Sequence, residues 1–192
     1  MKINGENIDI LDHYKSADAE GRLSLMLGNY AAFPKMIRKA EMKIKYRIKS
    51  EIEYERAKSK DELGVRVQTS RLSDPTFNEA STNMMIEDAL QTGEMDKSLL
   101  KSLKESPLYA EQCKIISIMR MDYELLQDVI ESLEQDDAKI LKQYLLEKKL
   151  YKEIADDEGR TYEAIKKRME RIRAEIREDM IECLELNCRE VF

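Results

Sequence analysis

Leu150-Tyr-Lys-Glu-Ile-Ala-Asp-Asp-Glu-Gly-Arg-Thr-Tyr-Glu-Ala-Ile-Lys-Lys-Arg-Met-Glu-Arg-Ile-Arg-Ala-Glu-Ile-Arg177 is the stretch that decides the fold. Tyr151, Ile154 and Ala155 fall three and four apart, which gathers them on one face of a short helix. Gly159 then stands where a left-handed turn is needed, and Thr161 offers a side-chain oxygen to cap a second helix. In that second helix Ile165, Met169, Ile172 and Ile176 repeat at four, three and four residues, a continuous apolar stripe. Two helices joined at a glycine turn, each with one apolar face, predict a helix-turn-helix.

The face opposite the stripe is charged. At about 100° of rotation per residue, Glu163 and Lys167 point away from the apolar side, with Lys166 and Arg171 at its flanks. Between Arg160 and Arg177 there are seven Lys and Arg (160, 166, 167, 168, 171, 173, 177) against three Glu (163, 170, 175). The whole chain carries a net charge of −6, so attraction to nucleic acid has to come from a local patch of this kind. The residues expected to contact DNA are Arg160, Thr161, Tyr162, Glu163, Lys166, Lys167, Arg168 and Arg171. Glu163 can accept from a cytosine amino group and a lysine can donate to guanine, while the arginines suit phosphates.

Tyr151 to Ala155, Gly159, Thr161 and the run Ala164 to Arg177 resemble the promoter-reading region 4 of bacterial sigma factors. The resemblance covers the last quarter to third of the chain, including a preceding helix at 138–146 with Ile140, Leu141, Tyr144 and Leu145 at helical spacing. It implies that the helix 161–177 enters the major groove of double-stranded DNA. Glu158 stands where that family usually has an apolar residue before the glycine, and Arg160 where it has a small apolar one after it. A second resemblance rests on about fifteen residues: Gly64-Val-Arg-Val-Gln-Thr-Ser70, Ser73-Asp-Pro-Thr76 and Asn78-Glu-Ala80 are similar to the central segment of phage-encoded ArpU/RinA-type late-gene activators. Those regulators share the layout of a charged helical amino-terminal half followed by a sigma-like motif. Together the two resemblances imply a phage or prophage transcription regulator acting in the cytoplasm of a bacterial host. They imply double-stranded DNA as ligand and bacterial RNA polymerase as a partner.

Composition agrees with an all-α chain: 38% charged residues, six Gly, three Pro and no Trp suit long exposed helices better than a sheet protein. No apolar run is long enough to predict a membrane span. Cys113, Cys183 and Cys188 are odd in number and match neither a zinc site nor a disulfide framework, and His13 is the one histidine. With no phosphate-binding glycine loop, metal-ligand cluster or nucleophile motif, neither an enzyme nor a cofactor is expected.

Ahead of the motif, residues 1–16 have no clear period and read as a partly loose arm that Ile8, Ile10 and Leu11 can anchor. A first helix fits 17–32, and Pro34 to about Lys60 reads as one long helix with Ile37, Ala40, Ile44, Ile48 and Ile52 along a narrow stripe. Such a stripe suits a coiled-coil or bundle seam, so a homo-oligomer is expected. That helix holds ten Lys and Arg (35, 38, 39, 43, 45, 47, 49, 56, 58, 60) against four Glu (41, 51, 53, 55), and its surface reads as solvated, with phosphate contact as the alternative. Helices follow from Pro75, from Ser98 and from Ser106. Between Asp122 and Asp137 lie seven acidic residues (122, 124, 128, 131, 134, 136, 137) and no basic ones, read as an outward acidic face. The expected organisation is a helical assembly module over 1–133 and a DNA-reading module over 134–192. Two other functions fit the same layout. One is a genuine alternative sigma factor, against which three Phe and no Trp count; the other is a small terminase-like packaging protein.

Overall fold

The computed structural model describes residues 9–62 and 75–190. Every regular element among them is a helix: α1 (Ile10–Ser16), α2 (Ala19–Gly28), α3 (Phe33–Glu62), α4 (Pro75–Thr92), α5 (Lys97–Ser102), α6 (Ser106–Ser132), α7 (Gln135–Leu145), α8 (Tyr151–Asp157) and α9 (Tyr162–Glu190). None of them is long and apolar enough to cross a membrane.

The contacts form two compact units, one drawn from Met1–Ile37 and Met119–Phe192, the other from Arg38–Ile118. This grouping puts the first helices with the last ones, whereas the sequence reading divides the chain at residue 133. The cause is α9. It runs past Arg177 to Glu190, as the apolar spacing of Met180, Ile181, Leu184 and Leu186 predicts, and α2 packs along it. Met180 and Leu184, beyond the motif, are as fully buried as Ile165, Met169, Ile172 and Ile176 within it.

Residues 10–16, expected within a partly loose arm, form α1. Asp9 caps it by accepting from the Leu11 N–H at 3.3 Å, and Tyr14 is completely buried. The Tyr14 hydroxyl donates to Asp122 Oδ2 at 2.6 Å, and Asn187 Nδ2 donates to Asp122 Oδ1 at 2.5 Å. Arg22 Nη1 lies 3.7 Å from Asp122 Oδ2, and its guanidinium covers the Tyr14 ring at 4.8 Å. Arg22 and Asp122 are both 0% exposed. Four helices therefore meet at one buried ion pair, and Asp122 belongs to the interior, not to an outward acidic face. Burial pushes its carboxyl above the ordinary range, against the pull of Tyr14, Asn187 and Arg22. Beside this pair Phe33 stacks on Tyr123 and Tyr30 lies tilted against the same ring, with the Tyr123 hydroxyl donating to the Tyr30 carbonyl at 3.0 Å.

In the other unit the α3 stripe is covered by the chain itself: Ala40, Ile44, Ile48 and Ile52 are buried, as Ile37 is in the first unit. The stripe thus needs no second copy, and the argument that it requires an oligomer lapses. Part of the basic charge of α3 is also engaged, Lys45 with Glu87 and Arg47 with Glu105. Gly93 ends α4 at φ +80°, and a Cβ there would lie 3.0 Å from that of Ser117, so both backbone and space demand glycine. The connector from Gly64 to Asp74, which carries most of the second resemblance, lies outside the described residues.

Glu51 of α3 closes the start of α6. Its carboxylate accepts from the Lys104 N–H, from the Glu105 N–H at 3.3 Å and from the Tyr109 hydroxyl at 2.9 Å, doing from a neighbouring helix what an N-cap does locally. Burial raises its pKa, but these three donors outweigh burial and hold the carboxyl below its ordinary value. A folded-state pKa below the unfolded one means stabilisation that is present above the ordinary carboxylate range and lost as pH falls through the depressed value. Glu51→Gln is therefore expected to cost about 1 kcal/mol at neutral pH. The difference from wild type should close as denaturant melts are taken from neutral pH into acid; a gap that stays constant would remove the carboxylate's role.

Candidate nucleic-acid interface

The last three helices form the candidate site. Ile154 and Ala155 of α8 are buried, and Gly159 turns the chain at φ +60° with nothing within 4 Å of where its Cβ would stand. Backbone conformation alone calls for glycine here. Thr161 Oγ1 accepts from the Ala164 N–H at 3.3 Å, starting α9 as a capping threonine does. At the other end of the short helix, Glu153 reaches back to the Leu150 N–H at 2.7 Å. α7, α8 and α9 pack on one another.

Polar and aromatic bridges hold these helices at fixed angles. The rings of Tyr144, Tyr151 and Tyr162 follow one another at 5.3 and 6.4 Å, one from each helix, and the Arg173 guanidinium lies 5.2 Å from the Tyr144 ring centre. Glu158, the acidic residue at a usually apolar position, joins α8 to α7 by a different chemistry. Its Oε1 accepts from Lys139 at 2.8 Å and from Gln143 at 3.0 Å, and the Lys139 ammonium holds its pKa down.

Of the expected contact residues, Arg160, Thr161, Tyr162, Glu163, Lys166, Lys167 and Arg171 are exposed, the last six on the outer side of α9 or at its capped start. Arg160, Lys166 and Lys167 have no ion-pair partner among the described residues. Arg168 is placed differently: it is half-buried, its Nε bonded to Asp137 and its Nη2 3.8 Å from Asp136. Arg171 Nη2 donates to the other oxygen of the same Asp137 at 2.6 Å. Asp137 is only 2% exposed, so a second of the supposed outward acids faces inward. Arg177 is paired with Glu20 of α2. The free cationic patch is therefore smaller than the sequence count: Arg168 is turned into the fold, and Arg171, Arg173 and Arg177, though exposed, are engaged by Asp137, the Tyr144 ring and Glu20.

No family model, curated protein or solved structure matches the chain. The site is thus read from its own chemistry. Among the described residues no three His, Cys, Asp or Glu side chains converge as a metal-ligand group. The cysteines are free thiols: Cys113 is buried, with burial pushing its pKa up to about 11, Cys183 is exposed, and Cys188 is half-buried. What this surface offers is a rigid helix start with hydroxyl, amide, carboxylate and ammonium groups along one outer face. That inventory suits hydrogen bonding to base edges and phosphates.

Sequence reasoning missed Asp137 and Tyr144 as parts that hold α9, and Glu158 as the link from α8 to α7. Tyr144 was legible as an apolar position only. The acids carry no local sign of being inward, since each is defined by a partner on another helix.

Proposed function

We propose that the protein is a sequence-specific DNA-binding transcription regulator, not an enzyme, whose α7–α9 segment works as a helix-turn-helix of the sigma region 4 kind. The observation that carries this reading is the separation of the two sides of α9. Ile165, Met169, Ile172 and Ile176 are all 0% exposed, while Glu163, Lys166 and Lys167 stand in solvent directly after a capped glycine turn. A helix start held this way can enter a major groove and present three or four side chains to base edges. Arg160 and Arg171 then serve as phosphate contacts, and Arg168 is left to the fold. The resemblance adds a phage or prophage activator that meets bacterial RNA polymerase.

Mapping bound sites across the host and phage genomes at physiological salt tests this. Enrichment at late-gene promoters supports the reading; enrichment at a packaging site would replace it with the terminase-like role, and promoter melting by the protein with core polymerase would make it a sigma factor. On the recovered site, Glu163→Ala and Lys167→Ala are each expected to cost about 1–3 kcal/mol and to leave scrambled duplexes far less affected. Equal losses on both duplexes would sink base readout by this face.

A further inference from the structure

We infer that Asp137 is a positioning residue for DNA contact: it holds the Arg171 guanidinium in a fixed orientation at the edge of the DNA-facing side of α9. This rests on the proposed DNA reading and deepens it. The geometry separates two arginines that sequence treats alike. Arg168 gives Nε to Asp137 and keeps only 15% of its side chain exposed, so its role ends inside the fold. Arg171 gives one terminal nitrogen to the same carboxylate, 2.6 Å away, yet 63% of its side chain is in solvent. A guanidinium has five N–H donors in a rigid plane; one bond to a buried acceptor restrains its orientation and leaves the remaining donors for a bidentate phosphate.

Position supports the same role. Arg171 lies four residues after Lys167, so the two are neighbours along one ridge of α9. Asp137 sits in the first turn of α7, where the helix end favours a negative charge, and is 2% exposed. A buried carboxylate cannot swing away as a surface acid would. A long cationic side chain otherwise loses rotamer freedom when it binds, and prior fixing removes part of that loss.

The test uses the full chain and a fluorescein-labelled mixed-sequence duplex, with anisotropy titrations at several salt concentrations. Arg171→Ala should weaken binding and reduce the slope of log affinity against log salt by about one. Asp137→Asn in the wild-type background should lose about fivefold in affinity, while in the Arg171→Ala background it should lose nothing further. A loss of the same size in both backgrounds would overturn the inference, because Asp137 would then act through the fold at large. A gain in affinity on Asp137→Asn would also overturn it, since the carboxylate would simply be repelling DNA. Should Asp137→Asn fail to fold by circular dichroism, Arg171→Lys decides: a lysine keeps the charge without the fork, so affinity should fall nearly as far as with alanine, and wild-type affinity would refute fork positioning. Absence of binding by the wild-type protein would remove the DNA reading itself, an outcome distinct from binding with additive losses.

Discussion

Asp122→Ala is expected to destabilise the protein by about 3–5 kcal/mol, because it leaves Arg22 charged and 0% exposed with no counter-ion. The Tyr14 hydroxyl and the Asn187 amide lose their acceptor in the same step. For a chain of this length such a loss lowers the melting temperature by about 10 °C. The size of the effect comes from the orphaned charge more than from the value of the pair. Arg22→Met combined with Asp122→Leu should therefore lose clearly less than the two single changes added together. Thermal melts of the three variants measure this. A shift of one or two degrees for Asp122→Ala, or strict additivity, would show that solvent reaches the pair.

A fragment of residues 134–192 should fail to melt cooperatively at the temperature of the whole chain. From sequence, this piece reads as a separate module able to fold and bind DNA weakly. The structure gives its last helix a partner outside it. Met180 and Leu184 are 0% exposed, α2 packs along α9, Arg177 is paired with Glu20, and Asn187 bonds to Asp122. Losing the cover of two such side chains costs about 3–6 kcal/mol, which a piece of about 60 residues with a small core cannot spare. Circular dichroism should show the second half of α9 frayed. Joining residues 1–37 to 119–192 through a flexible linker should restore a sharp transition. A 134–192 fragment that melts as sharply and as hot as the intact protein would take away the role given to α2.

The parts of the fold legible in sequence are those written in local spacing. The stripe from Ile37 to Ile52 gave α3 almost to its ends, and Gly159 with Thr161 placed the turn before α9, because glycine conformation and capping are decided within a few residues. α1 was not legible: seven residues with Leu11 and Tyr14 as its buried side chains are too few to set a period. The Arg22–Asp122 pair was hidden for another reason. Its members are distant in sequence, and a buried charge looks like a solvated one until its partner is found. The same holds for Arg168 at the candidate site: among the arginines after the turn it read as a phosphate contact, and only the inward Asp137 shows which way it turns. Charge counting along α9 overstated the patch for this reason, since it measures residues present and not donors left over.

The pairing of the first helices with the last bears on how the protein is made. Residues 38–118 form a unit from one continuous piece of chain, so the contacts within it become possible once that piece has left the ribosome. The other unit is complete only once Asn187 has emerged, because the end of α9 supplies the last hydrogen bond of the Asp122, Tyr14 and Arg22 cluster. Until then α1 and α2 must hold Tyr14, Leu23, Leu25 and Met26 without their final cover while the rest is translated. Contacts spanning nearly the whole chain form slowly, so this is the interval in which a chaperone has the most apolar surface to hold.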